Sequence, residues 1–205
     1  MLRNILLLAI CITVGSCFLA CPPTGPSSGE ETKGYRIASK SMEPTLLPGD
    51  HVFAHPLRAH PRRNQVIVYA AAIGSNVKRV VGLPGDTLSM KGGLLSVNGK
   101  VVQESYPIPQ DVVSQDFDWQ RTFLVDGVDT AGYTPSLNSW GPLVVPPEHY
   151  FVLGDNRGDS ADSRYIGFID LKAIIQVPTT IYFSRDPESG TVRWDRIGLR
   201  VAQPP

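Results

Sequence analysis

The pattern of hydrophobic positions divides the chain into three parts. An uncharged, mostly apolar stretch over 5–21 comes first, and a stretch rich in Pro, Gly and Ser, without large apolar residues, follows over 22–34. From residue 35 onward, short runs rich in β-branched and aromatic residues alternate with turn signals, as is typical of strands. We therefore predict a hydrophobic segment (1–21), a flexible linker and a mainly β domain over 35–205.

Seven runs within the domain are predicted strands. They lie at 35–38, 51–54, 65–69, 76–81, 94–97, 149–153 and 179–183. The sequence Leu-Pro-Gly-Asp occurs at 47–50 and again at 83–86, where Pro-Gly suits the centre of a type II turn, so each copy is expected to lead into a strand. Asn98-Gly99 predicts a tight hairpin, and a short helix is expected over 170–175. These features favour a coiled or barrel-like β-sheet.

Composition fits a folded domain without a nucleic-acid partner. Apolar residues make up 42% of the chain, which is enough for a core, and 19 Lys and Arg balance 19 Asp and Glu, so no basic field points to nucleic acid. All three cysteines, Cys11, Cys17 and Cys21, lie in the hydrophobic segment, so the domain has no disulfide or cysteine-based zinc site. Within the domain, the Pro-rich stretch 103–147 is interpreted as an insertion that elaborates the β core.

Three interpretations of the hydrophobic segment stay open. It can be an uncleaved anchor helix, because 5–20 would span roughly 24 Å as a helix, close to the thickness of a bilayer. Alternatively, the small residues before Cys17, or less well those before Cys21, form a lipoprotein signal, or the segment is a cleaved secretory signal. We favour a single N-terminal anchor in the cytoplasmic (inner) membrane. Arg3 then places the domain on the extracytoplasmic, or periplasmic, side.

Two residues of the domain suggest a catalytic pair. Ser41 lies in Ser-Lys-Ser-Met-Glu-Pro-Thr-Leu (39–46), and Lys78 follows 37 residues later beside a run of valines. A serine hydroxyl becomes a nucleophile when a base removes its proton, and a lysine can be that base if burial lowers its pKa. Taken singly, each residue has a simpler interpretation: Ser41 as the N-cap of a helical turn and Lys78 as a solvated strand lysine.

A third segment makes the pattern specific. The segment 154–164 reads Gly-Asp-Asn-Arg-Gly-Asp-Ser-Ala-Asp-Ser-Arg and follows the serine and lysine segments in order. Together the three segments resemble bacterial type I signal peptidase, a serine peptidase family that removes signal peptides from exported proteins with a Ser/Lys dyad. The resemblance covers about 35–110 and 148–200, and the stretch between them corresponds to a variable β-rich region of the family.

The resemblance implies roles for the residues around the serine. Ser41 is the expected nucleophile, and Lys78 is the expected general base and later the general acid to the leaving amine. The backbone N–H of Ser41 and the hydroxyl of Ser39 are expected to form the oxyanion hole. Lys40 stands where many members of the family have glycine, so it is a departure from the pattern.

The resemblance also assigns supporting residues in the third segment. Ser160 is expected to hydrogen-bond the amine of Lys78, because a neutral hydroxyl orients the amine without holding it protonated. A carboxylate touching Lys78 would raise its pKa and oppose catalysis. Asp162 is therefore expected to pair with Arg164 in a structural role. Ile166 stands where a Trp is frequent in the family.

Substrate contacts follow from the same resemblance. An extended preprotein segment is expected to add beside the strand near 35–38. Shallow pockets for small residues at positions −1 and −3 of the substrate are expected to be lined by Ile37, Ala38, Met42, Leu46 and Asn76. Each apolar residue of this set could equally be ordinary core.

The sequence as a whole predicts a membrane-tethered serine endopeptidase that removes signal peptides after Ala-x-Ala. Its expected partners are preprotein signal peptides and membrane lipid; neither nucleic acid, metal nor organic cofactor is implied, and we expect a monomer. Two alternatives stay open. One is a specialised peptidase that matures a dedicated pilin or conjugation substrate, and the other is an inactive, membrane-tethered β domain that binds a partner.

Overall fold

The computed structural model describes residues 31–202. The hydrophobic segment and most of the linker lie outside this range. The three interpretations of that segment, as an anchor, as a lipoprotein signal at Cys17 or Cys21 and as a cleaved signal, therefore concern residues outside the described part. Between residues 31 and 202, the chain forms no helix with the length and apolar character needed to cross a membrane.

The described part of the chain is mainly β, as predicted. Its strands are β1 (Lys33–Arg36), β2 (Asp50–Pro56), β3 (Val66–Ala70), β4 (Ser75–Gly82), β5 (Thr87–Lys91), β6 (Leu94–Val97), β7 (Lys100–Val101), β8 (Trp140–Val144), β9 (His149–Leu153), β10 (Ile169–Asp170) and β11 (Ile174–Ser184). A seven-stranded sheet has the order β1-β2-β11-β3-β4-β9-β10, and a four-stranded sheet has the order β7-β6-β5-β8. The paired strands of both sheets are antiparallel.

The two Leu-Pro-Gly-Asp turns do what the sequence predicts. In each turn the amide of the aspartate donates to the carbonyl of the leucine at 3.0 Å, and β2 or β5 follows at once. The aspartate side chain closes the turn as well, because Asp50 and Asp86 accept hydrogen bonds from the amides of Leu47 and Leu83. The hairpin at Asn98-Gly99 joins β6 to β7.

Helices are few, and the helix predicted over 170–175 is wrong. A single 3₁₀ turn, Leu171–Ala173, occupies its centre, and Ile174 already begins β11 by pairing with Tyr69 of β3. The β-branched Ile174 favours the strand, and the side chain of Asp170 caps the 3₁₀ turn through the amide of Lys172. A short helix α1 (Ser163–Ile166), which the sequence did not predict, lies in the third segment instead.

The stretch interpreted as an insertion packs against the second sheet. It contains a 3₁₀ helix, Gln115–Phe123, and its end forms β8, which pairs with β5. Trp140 of β8 joins Leu88 and Phe151 in one buried apolar cluster, and the Trp140 and Phe151 rings stack at 5.1 Å. The insertion therefore supplies part of the core rather than only surface decoration.

A separate apolar cluster lies under the segment that follows β1. β1 begins two residues before the predicted domain start and ends at Arg36, so Ile37 and Ala38 leave the strand. Ile37 is nonetheless held, since its amide donates to the carbonyl of Asp50 at 2.8 Å. Ile37, Met42 and Leu46 are buried in this cluster together with residues of β2, β3 and β11. This packing positions the turn that contains Ser41.

Candidate active site

Ser41 lies in a tight turn between β1 and β2. The amide of Leu46 donates to the carbonyl of Met42 at 2.9 Å, and both side chains are fully buried beneath the turn. These two apolar anchors fix the turn to the core, and Ser41 is left with 7% of its surface exposed. Its hydroxyl lies 3.1 Å from the hydroxyl of Ser39.

Lys78 reaches this turn from the middle of β4. Its strand neighbour is Ile67 of β3, and only 4% of Lys78 is exposed, so it is not the solvated strand lysine of the simpler interpretation. Its Nζ donates to the Oγ of Ser41 at 2.8 Å and to the carbonyl of Val77 at 3.2 Å. The structure thus brings together two residues that are 37 positions apart in the sequence.

The charge state of Lys78 depends on opposing effects. Burial lowers the pKa of its amine, whereas the carboxylates of Asp162 and Asp155 raise it in part. In the described part of the chain, neither carboxylate forms an ion pair with Lys78; Asp155 binds Arg79 and Asp162 binds Arg164, with contacts of 2.8 Å. Because each nearby carboxylate already has a cation, burial remains the dominant influence on Lys78.

The third segment contacts the Ser41 turn through hydrogen bonds to its backbone. The amide of Asn156 donates to the carbonyl of Ser41 at 3.1 Å, and its side-chain amide donates to the carbonyl of Lys40. Asp162 accepts a hydrogen bond from the amide of Gly154 at 3.0 Å and binds Arg164 through both carboxylate oxygens. Asp162 also caps helix α1 through the amide of Arg164.

Gly154 is a sterically constrained position beside Ser41 that sequence reasoning missed. A β-carbon at this position would lie 2.2 Å from the Oγ of Ser160 and 2.5 Å from the carbonyl oxygen of Ser41. Any side chain would therefore displace the nucleophile turn or Ser160. The signal was present in the sequence, because a glycine that directly precedes charged motif residues often marks a close backbone approach.

Ser160 differs from its expected geometry. Its hydroxyl is buried beside Gly154, but it makes no hydrogen bond to any group within residues 31–202, so the expected bond to the amine of Lys78 is not formed. The hydroxyl remains a buried donor that no other described group uses.

A groove leads to Ser41 and Lys78 and contains four of the five residues expected to bind substrate. Its volume is about 170 Å³. The lining includes Ile37, Ala38, Met42 and Asn76, together with Ser39, Ser41, Lys78, Arg36, Ser75 and Val77. Leu46 is the correction: it does not line the groove and is fully buried in the cluster with Val52 and Ile181.

Comparison with known proteins identifies a family. The family model described as "Signal peptidase, peptidase S26" matches residues 13–183. A signal peptidase I of Bacillus caldolyticus is 39% identical over 69% of this chain and 74% of its own length, and one of Bacillus amyloliquefaciens is 34% identical over 73% and 75%. Signal peptidase IB of Staphylococcus aureus is 36% identical over 69% of this chain and 72% of its own length.

One solved structure is also similar. The crystal structure of a signal peptidase I from Enterococcus faecalis V583 is 30% identical, with a TM-score of 0.40, and the match covers 58% of this chain and 97% of that chain. The family match spans most of the sequence, including the serine, lysine and third segments. The chain therefore belongs to the signal peptidase family, peptidase S26, whose members are serine peptidases.

Proposed function

We propose that the chain acts as a type I signal peptidase in which Ser41 is the nucleophile and Lys78 is the general base. The observation that carries this proposal is the 2.8 Å contact between the lysine amine and the serine hydroxyl in a site where both residues are buried. Burial favours the neutral amine, and a neutral amine can accept the proton of the hydroxyl.

The proposed reaction has two stages. In the first, Lys78 takes the proton from Ser41 while the serine oxygen attacks the scissile carbonyl, and the resulting ammonium returns the proton to the leaving amine. An acyl-enzyme on Ser41 remains. In the second, Lys78 takes a proton from water, the hydroxide attacks the acyl group, and the proton returns to Ser41 as the product acid leaves. The backbone N–H of Ser41 and the hydroxyl of Ser39 are proposed to stabilise the oxyanion in both stages.

The remaining residues are proposed to support this chemistry. Ser160 makes no bond to Lys78 in the structure, so no role in orienting the amine is proposed for it. The ion pair of Asp162 with Arg164 would hold the third segment and keep the carboxylate away from Lys78. The groove with Ile37, Ala38, Met42 and Asn76 is small, which suits the short side chains of an Ala-x-Ala site.

The substrate and the location of the enzyme belong to the same proposal. The substrates would be signal peptides of exported preproteins, as the names of the relatives indicate. The uncharged stretch 5–21 would anchor the chain in the cytoplasmic membrane with the peptidase domain on the outer side. We propose that the enzyme acts as a monomer, because a single chain supplies both Ser41 and Lys78.

The experiment that tests the proposal is cleavage of a precursor peptide bearing Ala-x-Ala by the full chain in detergent. Wild type, Ser41→Ala and Lys78→Ala are compared, with Lys172→Ala as a control for loss of an exposed lysine. We expect cleavage after the second alanine by wild type and the control only. Equal cleavage by all four proteins would contradict the dyad, and no cleavage by wild type would favour a dedicated substrate or a binding role.

A further inference from the structure

The nucleophile turn has a second fixed point besides its apolar anchors. Thr45 lies four residues after Ser41, and its hydroxyl donates to the carboxylate of Asp155 at 2.5 Å. Asp155 is fully buried. A hydrogen bond to a buried carboxylate is stronger than one between neutral groups, so this contact constrains the turn.

The same carboxylate holds the strand that contains the lysine. Arg79 directly follows Lys78 in β4, and its Nε and Nη2 donate to the two carboxylate oxygens of Asp155 at 2.8 Å each. The Nη2 of Arg79 also lies 3.4 Å from the hydroxyl of Thr45. One buried carboxylate therefore joins the turn of Ser41 to the strand of Lys78.

The backbone of Thr45 is held by a separate contact, with Arg196. Its carbonyl accepts a hydrogen bond from Nη2 of Arg196 at 3.1 Å, and Arg196 in turn binds the carboxylate of Asp50 at 2.5 Å and 3.0 Å. Arg196 belongs to the short 3₁₀ helix Trp194–Arg196 near the C-terminus. Thr45 is thus held both by the site and by the C-terminal segment.

We propose that Thr45 is a positioning residue for the peptidase reaction, whose hydroxyl, acting through Asp155, sets the placement of Ser41 relative to Lys78. This inference rests on the proposed function of the dyad. Asp155 binds both the turn that contains Ser41 and Arg79, the neighbour of Lys78. Loss of the hydroxyl therefore removes one contact that sets the position of the turn, while the pair of Asp155 with Arg79 remains.

Loss of the hydroxyl also changes the field at Lys78. The charged groups that act on the amine are Asp162 and Asp155 of the third segment. These two carboxylates interact in turn with Arg79 of β4, Arg164 of α1, Tyr69 of β3 and Tyr106 at the start of the insertion. Of these, Thr45 contacts Asp155, to which its hydroxyl donates at 2.5 Å, and Arg79, whose Nη2 lies 3.4 Å from the hydroxyl. Without the hydroxyl, the charge of Asp155 is balanced by fewer donors, so its effect on the amine of Lys78 grows and the amine requires a higher pH to become neutral.

The test compares Thr45→Val, which removes the hydroxyl at nearly constant volume, with Thr45→Ser, which keeps it. Thr179→Val is the matched control, because the Thr179 hydroxyl donates to the carbonyl of Phe53 in β2, a strand that contains none of the proposed site residues. With the full chain in detergent and the Ala-x-Ala peptide, we expect Thr45→Val to lower kcat by on the order of tenfold to a hundredfold with little change in KM. The acid limb of its pH profile should move to higher pH, and Thr45→Ser and Thr179→Val should behave as wild type.

Other outcomes would overturn the inference. An unchanged kcat and pH profile in a folded Thr45→Val protein would contradict it. A lower kcat with an unmoved acid limb would also contradict it, because that is the result expected for a residue with a structural role only. If Thr45→Val does not fold, Thr45→Ala replaces it, and failure of both to fold would make the hydroxyl a stability element only. Ser41→Ala separates the two proposals: if it retains activity, the dyad itself is wrong, whereas an inactive Ser41→Ala with wild-type behaviour of Thr45→Val contradicts only the role of Thr45.

Discussion

The two sides of strand β4 bury neighbouring cations in opposite ways. Arg79 faces a carboxylate: Asp155 binds it through two hydrogen bonds, and although burial acts in the opposite direction, the bonds and charge of Asp155 raise its pKa. Lys78 faces the hydroxyl of Ser41 and a backbone carbonyl, and burial lowers its pKa.

The difference shows how a fold can favour the charged form of one cation and disfavour the charged form of the next. A guanidinium group stays protonated throughout the pH range in which proteins are folded, so Arg79 neutralises the carboxylate of Asp155 at every such pH. A lysine amine readily loses its proton when desolvated, provided that nearby carboxylates are already paired. The pairs of Arg79 with Asp155 and of Arg164 with Asp162 meet this condition.

The largest expected effect comes from placing an arginine at position 78, so that both faces of β4 carry a guanidinium group. Lys78→Arg keeps a cation in β4 but supplies a group that cannot accept a proton, so peptide cleavage should fall by more than about 10⁴-fold, as when a catalytic base is disabled. Steady-state cleavage of the Ala-x-Ala peptide measures this loss, with Lys172→Arg as the control at an exposed position. Substantial activity in Lys78→Arg would show that a neutral amine is not needed.

A smaller effect, on stability, is expected when the ion pair between Arg79 and Asp155 is broken. Asp155→Ala leaves Arg79 buried without its carboxylate, and we expect a loss of about 3–5 kcal/mol in the free energy of unfolding. Chemical denaturation of the full chain in detergent measures it. The control is Asp118→Ala, which removes an exposed partner of Arg121 and should cost under about 1 kcal/mol. Similar losses in both variants would contradict the structural importance assigned to the buried pair.

The smallest expected effect is a pH-dependent gain in stability. Lys78→Met removes a group whose pKa is lower in the folded than in the unfolded chain. In wild type, the unfolded state binds the extra proton between these two pKa values, so stability rises with pH in that window. Lys78→Met should therefore stabilise the protein most at low pH, and the gain should shrink as pH approaches 10.5, the ordinary value for lysine. Thermal unfolding at several pH values measures this, and a gain independent of pH would contradict a neutral Lys78.

Much of the fold could be predicted from local sequence. The seven predicted runs overlap observed strands, and the repeated Leu-Pro-Gly-Asp turn indicated where β2 and β5 begin. Strand β8 was missed because Gly141-Pro142 in its middle looks like a turn. The helix over 170–175 failed because pairing of Ile174 with β3 outweighed the local preference for a helical turn.

The site was predictable where a motif exists and unpredictable where contacts are long-range. The serine and lysine segments are recognisable from their sequence motifs, which led us to expect Ser41 and Lys78 in contact. The structure places the two side chains 2.8 Å apart. By contrast, Thr45 meets Asp155 across 110 residues and Arg196 across 151, and no local pattern indicates such contacts. The placement of Leu46 in the core rather than the groove depends equally on how the turn packs.

The central claim, that Lys78 acts as a neutral base, is tested most directly by the pH dependence of kcat/KM for the wild-type chain. Cleavage of the Ala-x-Ala peptide is measured from acid to alkaline pH, within the range where the protein stays folded. The account predicts an acid limb governed by one ionisation, with its midpoint below the ordinary lysine value of 10.5. A midpoint at or above that value, or a rate that does not change with pH, would contradict it.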